Sequence, residues 1–159
     1  MKPVALLALF AIPLMAAPVA AKPGPAFLKS AAQGDNSEVT LGRLAQQRAG
    51  SRGVRDYGRT LASDHGSHLV KVQATARQMH VALPGGMKPD ARQAYAHLQH
   101  LRGAAFDREF VQHMIDDHRK DIADYEEQAR SGDRATASLA RDTLPTLRNH
   151  LRIAQGLAH

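Results

Sequence analysis

Four residues in this chain are of a type and spacing that could do chemistry. Glu38, His65, His118 and His150 each interrupt an otherwise apolar helical stripe. One carboxylate and three imidazoles form a donor set for a divalent metal. The ion neutralises the carboxylate and takes up the lone pairs of imidazoles that could not all be protonated side by side. Three His and one Glu suit Zn²⁺ first, then Fe²⁺, Mn²⁺ or Cu²⁺, with Ni²⁺ also within the donor preferences. Two of the histidines lie in a stretch that the chain contains twice. Residues 60–77 (TLASDHGSHLVKVQATAR) and 113–130 (HMIDDHRKDIADYEEQAR) align with Asp64 on Asp117, His65 on His118, Ala76 on Ala129 and Arg77 on Arg130, and Leu69 lies opposite Ile122.

The neighbours of these residues are polar too. Asp64 and Asp117 precede their histidines and so point about 100° round a helix, which suits them to hydrogen-bonding partners rather than ligands. His68 and Asp121 follow at i+3 on the histidines' own face, where they can extend the site or hold the imidazoles. A plainer reading stands beside the metal. Nine histidines in one chain put some on apolar faces by chance, and an Asp–His or Glu–His pair across two helices is a common structural device. A third reading, a metal-dependent enzyme, needs an open coordination position and a pocket.

Four long helices must position these groups, and apolar periodicity supplies them. Helix one is expected over residues 26–49, with stripe Phe27, Ala31, Gly34, Glu38, Leu41, Ala45. Helix two is expected over 52–80, capped by Ser51, with stripe Val54, Tyr57, Leu61, His65, Leu69 or His68, Val72, Ala76, Met79. A break rich in Pro and Gly (83–89) leads to a short helix over 91–101, capped by Asp90 and ended by Gly103. Helix four is expected over 104–131, with Val111, Met114, Ile115, His118, Ile122, Tyr125 and Ala129 inward; Gly132-Asp133 makes the next turn. Helix five runs over 134–157, with Leu139, Thr143, Leu147, His150, Ala154 and Leu157 inward and a kink expected at Pro145. At about 1.5 Å rise per residue, Glu38 and His65 lie about 18–21 Å from the end where their helices join, and His118 and His150 about 21–24 Å from theirs. In helices about 35–42 Å long, all four fall near the middle. No segment alternates with period two. The fold class is therefore all-α, a four-helix bundle of two hairpins joined by a long crossover, the ferritin-like connection, with the short helix in that crossover.

The rest of the composition narrows the function. The chain has 159 residues, no Cys and no Trp, enough for one domain with a single core. Residues 1–21 read as a cleaved signal peptide: Lys2, an apolar run from Val4 to Ala17 broken by Pro13, then the small residues Val19-Ala20-Ala21. The run is too short to span a membrane comfortably. Residues 22–25 form a linker, and 26–159 the bundle domain, expected in the periplasm. Export without disulfides leaves stability to the core and to any ligand. The formal charge is +6, or +5 without Lys2, and the basic residues are dispersed over the helices rather than gathered in a stripe. That speaks against nucleic acid as partner and allows weak association with the anionic cell envelope or outer membrane. No phosphate loop, nucleophile elbow or Cys nucleophile is present, so hydrolase and kinase chemistry has no footing and a non-enzyme is favoured. His97 and His100, and Glu109 with His113, read as solvated surface pairs. Tyr57 and Tyr125 read as core, and Glu126 flanks the stripe of helix four.

Four segments carry a resemblance: FLKSAAQGDNSEVTLGRLAQQRA, the DH of ASDHGSHL, GAAFDREFVQHMIDDHRKDIADYEEQARSGD and TLPTLRNHLRIAQ. From Phe27 to Ala154 the chain resembles the family of domains of unknown function numbered four-one-four-two, whose members are often described as outer-membrane or periplasmic proteins. The resemblance implies an exported ferritin-like bundle and no established activity. The family's recurring polar positions fall on Glu38, Asp64, His65, Asp117, His118, Glu126 and His150. The Glu-x-x-His pairs of ferritin-like di-iron proteins are missing, which puts a carboxylate-bridged di-iron centre and its oxygen chemistry in doubt. The expected ligands are thus Glu38, His65, His118 and His150, with Asp64, His68, Asp117, Asp121 and Glu126 around them. The alternative is a structural or protein-interaction bundle with the same residues as a hydrogen-bond network.

Overall fold

The computed structural model describes residues 23–130 and 133–158. The expected export signal, the expected last residue of helix four (131) and residue 132 of the expected turn lie outside the described residues. Five helices form: α1 (Gly24–Arg48), α2 (Arg52–Gln78), α3 (Pro89–Leu98), α4 (Gly103–Arg130) and α5 (Arg134–Leu157). No strand forms among the described residues; Ala49 and Gly103 share an isolated bridge. The described residues form an all-helical structure.

Local chemistry explains the boundaries. Ser51 caps α2, its hydroxyl accepting from the Val54 N–H at 3.2 Å. Asp133 caps α5, accepting from the N–H groups of Ala135 and Thr136. Three expectations need correction. Gly24 and Pro25 are not linker but the first turn of α1, where proline's missing N–H is no loss. Asp90 does not cap α3: Lys88 holds the cap position, Pro89 opens the helix, and Asp90 sits in its first turn. The short helix also stops at Leu98, earlier than the pattern suggested. Pro145 lies inside α5, which continues through it to Leu157.

The helices lie in two pairs, α1 along α2 and α4 along α5, which meet chiefly through α2 with α5 and less extensively through α1 with α4. Their directions follow from contacts at the two ends. The α1–α2 turn is pinned to the start of α4, because the Asp107 carboxylate accepts from the N–H groups of Gly50 (2.9 Å) and Ser51 (2.8 Å). At the other end, Gly24 lies against Asp133 and Met79. So α2 and α4 run one way, α1 and α5 the other, and the crossover through α3 travels the length of the molecule. The two copies of the repeated stretch therefore sit on parallel helices.

Within the first pair the backbones almost touch. A Cβ on Gly42 would come within 2.5 Å of the Gly58 carbonyl oxygen, and one on Gly58 within 2.6 Å of that of Gly42. Apolar packing fills two separate regions. One joins Leu41, Tyr57, Leu61, Phe106, Phe110 and Met114 near the pinned turn. The other joins Phe27, Leu28, Val72, Tyr125, Leu144 and Leu147 toward the opposite end. Between them lies a layer of buried polar groups: Asp35, Glu38, His65, His68, Asp117, His118 and His150. Burying that many polar groups is unfavourable unless each finds a partner.

Candidate metal centre

His65 on α2, His118 on α4 and His150 on α5 bring one ring nitrogen each to within 4.8 Å of one another. The rings are 5%, 1% and 0% exposed. What each ring does with its other nitrogen decides what those converging atoms are. Nδ1 of His118 lies 2.9 Å from the Met114 carbonyl oxygen, which can only accept, so Nδ1 carries the proton. Nε2 of His150 lies 2.9 Å from Oδ2 of Asp64 and donates to it. Nδ1 of His65 lies 2.9 Å from Oδ1 of Asp35 and donates likewise. In the neutral rings the remaining nitrogens are therefore bare lone pairs: Nε2 of His65, Nε2 of His118 and Nδ1 of His150.

Those lone pairs have nothing to bond to in the protein. Nε2 of His65 has no hydrogen-bond partner. Nε2 of His118 faces Nδ1 of His150 at 3.3 Å, and neither carries a proton while both rings are neutral. Both rings resist taking one up. Burial, then the neighbouring His65 and His150, pushes His118 down to about 3. Burial also lowers His150, against the pull of Asp64. A divalent cation satisfies all three nitrogens at once. The 3.3 Å between His118 and His150 matches one edge, about 3.3 Å, of a tetrahedron with metal–nitrogen bonds of about 2.0–2.1 Å, with the His65 atom within 4.8 Å of both. Each imidazole is held from behind by a carboxylate or a carbonyl, the usual arrangement behind metal-bound histidines.

Glu38 lies in the same layer but outside that cluster. It is wholly buried, and no N–H or hydroxyl of another residue reaches either carboxyl oxygen. Its carboxyl faces that of Asp117, and a shared proton makes a hydrogen-bonded pair of them. Burial, then Asp117, raises Glu38 well above the usual carboxylate range. Burial pushes Asp117 up as well, but the Lys88 ammonium and the Glu38 proton outweigh it and the group is lowered. Lys88 arrives from the crossover and pairs with Asp121 at 2.7 Å. Burial works against its charge, yet Asp121 and Asp117 prevail and raise it. Burial raises Asp121 in spite of that partner.

The remaining expected residues divide. Asp64 supports His150, as above. His68 shares Asp35 with His65, its Nδ1 lying 2.9 Å from Oδ2. Glu126 points away, into an ion pair with Arg148 at 2.8 Å on the surface. His97, His100 and Glu109 are exposed, and Tyr57 and Tyr125 are buried in the core. Asp35, Lys88 and the Met114 carbonyl lie outside the set expected from the sequence. Asp35 had a signal: it stands three residues before Glu38, on the same helical face. Lys88, inside a Pro/Gly-rich connection, and a backbone carbonyl carry none that periodicity can show.

A family model described as domain of unknown function (DUF4142) matches residues 11–157, and the chain belongs to that family. No curated protein and no solved structure matches it.

Proposed function

Starting from that membership, we propose that this DUF4142 protein is an exported, ferritin-like four-helix bundle that binds one divalent transition metal through His65, His118 and His150. The observation that carries the reading is the convergence of three imidazole lone pairs whose opposite nitrogens are already committed to Asp35, Met114 and Asp64. Zn²⁺ fits best, with Fe²⁺, Mn²⁺ and Cu²⁺ next. The triad is closed to solvent, which favours holding an ion over turning a substrate over. Location in the periplasm rests on the amino-terminal signal pattern alone. The parallel α2 and α4 with the end-to-end crossover support the ferritin-like reading.

The test is metal content by elemental mass spectrometry on untagged protein purified without chelator, because a His-tag would mimic the result. About one equivalent of one metal is expected, lost in His118→Ala. Metal-free protein whose melting temperature is unmoved by added zinc, iron, manganese or copper would leave the polar layer as a structural network.

A further inference from the structure

Along the sequence the basic residues are dispersed, but folding collects eight of them at one end. The α1–α2 turn, the start of α4 and the end of α5 meet there: a Cβ on Gly50 would touch Gly103, and one on Gly53 would touch Leu157. Within about two helical turns of that end, the first pair of helices carries Arg43, Arg48, Arg52, Arg55 and Arg59, and the second carries Arg102, Arg108 and Arg152. The acids in the same span are Asp56, Asp107 and Glu109. Eight positive charges against three negative leave +5 there, so the rest of a chain of formal charge +6 is close to neutral. Two of the three acids are already engaged. Asp107 accepts from the backbone of the turn, and Asp56 lies between Arg52 and Arg59. Arg55 reaches back over the turn and donates to the carbonyls of Ala49 (2.8 Å) and Gly50 (2.9 Å), which sets its charge on the tip itself. The other arginines, apart from the half-buried Arg48, are exposed.

The kind of cation and the shape of the face narrow the partner. The described lysines, Lys29, Lys71, Lys88 and Lys120, all lie further along the bundle, so this end is arginine alone. A guanidinium presents a planar fork of donors that takes two oxygens of one phosphate, which an ammonium cannot do. Four helix ends about 8–10 Å apart make a face about 20 Å across, far wider than a single phosphate group. The aromatic residues near it, Tyr57, Phe106 and Phe110, are all buried, so no ring is offered for a nucleic-acid base to stack on. The helices also arrive end-on, and none presents its side to a groove. Among the described residues the exposed large hydrophobic side chain, Val70, lies far along α2 from this end, and no helix is long and apolar enough to cross a membrane. The face therefore fits a plane of phosphates met at its surface, with nothing inserted.

We propose that this arginine end docks the protein onto an anionic phospholipid surface, the bundle standing end-on with its guanidinium groups on headgroup phosphates. The inference is independent of the triad and holds whether or not a metal is bound.

The experiment is co-sedimentation of the untagged protein with vesicles of equal parts phosphatidylglycerol and phosphatidylcholine, beside vesicles of phosphatidylcholine alone. Binding is expected only with the anionic lipid, and added salt should release it. Arg43→Gln with Arg108→Gln should weaken it about ten- to thirty-fold. Lys29→Gln with Arg134→Gln, which removes the same charge from exposed positions at the opposite end, should change it by less than about threefold. Equal losses in the two double variants would mean that net charge alone acts, and would overturn the docking face. Equal binding to both kinds of vesicle, or to neither, overturns it as well. Single-stranded DNA bound more tightly than the anionic vesicles in the same buffer would put a soluble polyanion in place of the membrane and overturn the lipid assignment.

Discussion

The same dipeptide occurs at Asp64-His65 and Asp117-His118, on helices that run in parallel, and its two copies do different work. Both histidines turn into the triad. Both aspartates turn sideways onto a neighbouring helix, Asp64 to His150 on α5 and Asp117 to Glu38 on α1. The partner decides the outcome. Opposite an imidazole, Asp64 orients a ring and sharpens a lone pair. Opposite another carboxyl, Asp117 needs a proton and the ammonium of Lys88 before the arrangement is bearable. One copy helps to orient a cluster that could take a cation from outside; the other has been supplied with the Lys88 ammonium from within. A repeated motif is thus not a repeated function, because burial makes each group answer to whatever faces it.

The hardest way to break that comparison is to remove the internal cation. Lys88→Met leaves Asp121 and Asp117 without their positive partner, and loss of one side of a mostly buried ion pair is expected to destabilise the protein by about 3–5 kcal/mol. Urea denaturation measures it, and restoring most of that loss with Asp121→Asn in the same chain would show that the unpaired carboxylate is responsible.

Acid should attack the histidine copy. His118 is depressed, so its contribution to stability is full above the unfolded value of about 6.5 and is lost as pH falls toward the folded value of about 3. By pH 5 the loss from this group alone is about 2 kcal/mol. Thermal denaturation of metal-free protein across pH 5–7 checks it, and His118→Gln should flatten that limb.

The two aspartates should then separate in metal binding. Asp64→Asn is expected to weaken metal affinity by about 10–100-fold through its hold on His150. Asp117→Asn should leave affinity within about threefold, since it holds no ligand ring. Equal effects in a competition titration would erase the distinction drawn between the two copies.

The smallest effect is expected at Glu38. Because burial and Asp117 favour the protonated carboxyl, Glu38→Gln keeps a donor toward Asp117 and should change stability at pH 6 by less than about 1 kcal/mol. Its signature is a loss of stability as pH rises above the ordinary carboxylate range. A raised acid gives stability that is lost as pH rises through its folded value, so wild type should weaken on alkalinisation and Glu38→Gln should not. A large loss of metal affinity in the same variant would instead make Glu38 a fourth ligand.

Much of this was legible in the sequence, for reasons of period. Helix positions follow from apolar residues three and four apart, and α5 appears with the bounds the pattern gave. The mid-height of His65, His118 and His150 follows from rise per residue alone. Azimuth was harder. Whether Glu38 faces the histidines or Asp117 depends on about a quarter turn and on which helix lies alongside, and neither is written in one helix's periodicity. Glu126 was drawn toward the site by family pattern, but its helix places it within reach of Arg148. Asp35 was overlooked because it follows Gly34 of the stripe by one residue, where periodicity alone reads a short acid as the edge of the solvated face.

The close contact of Gly42 with Gly58 has a mechanical consequence. At that crossing backbone rests on backbone with no side chain between to shear or repack, so α1 and α2 should move together as one stiff beam. His65 rides on that beam, while His118 and His150 ride on the other, and an ion shared by the three becomes a rivet through the joint. Compliance should then be greatest between α2 and α5 when the rivet is out, and hydrogen exchange along those two helices should slow when it is in. A chain without a single cysteine would in this way have a removable fastener where disulfide-bonded proteins have a permanent one.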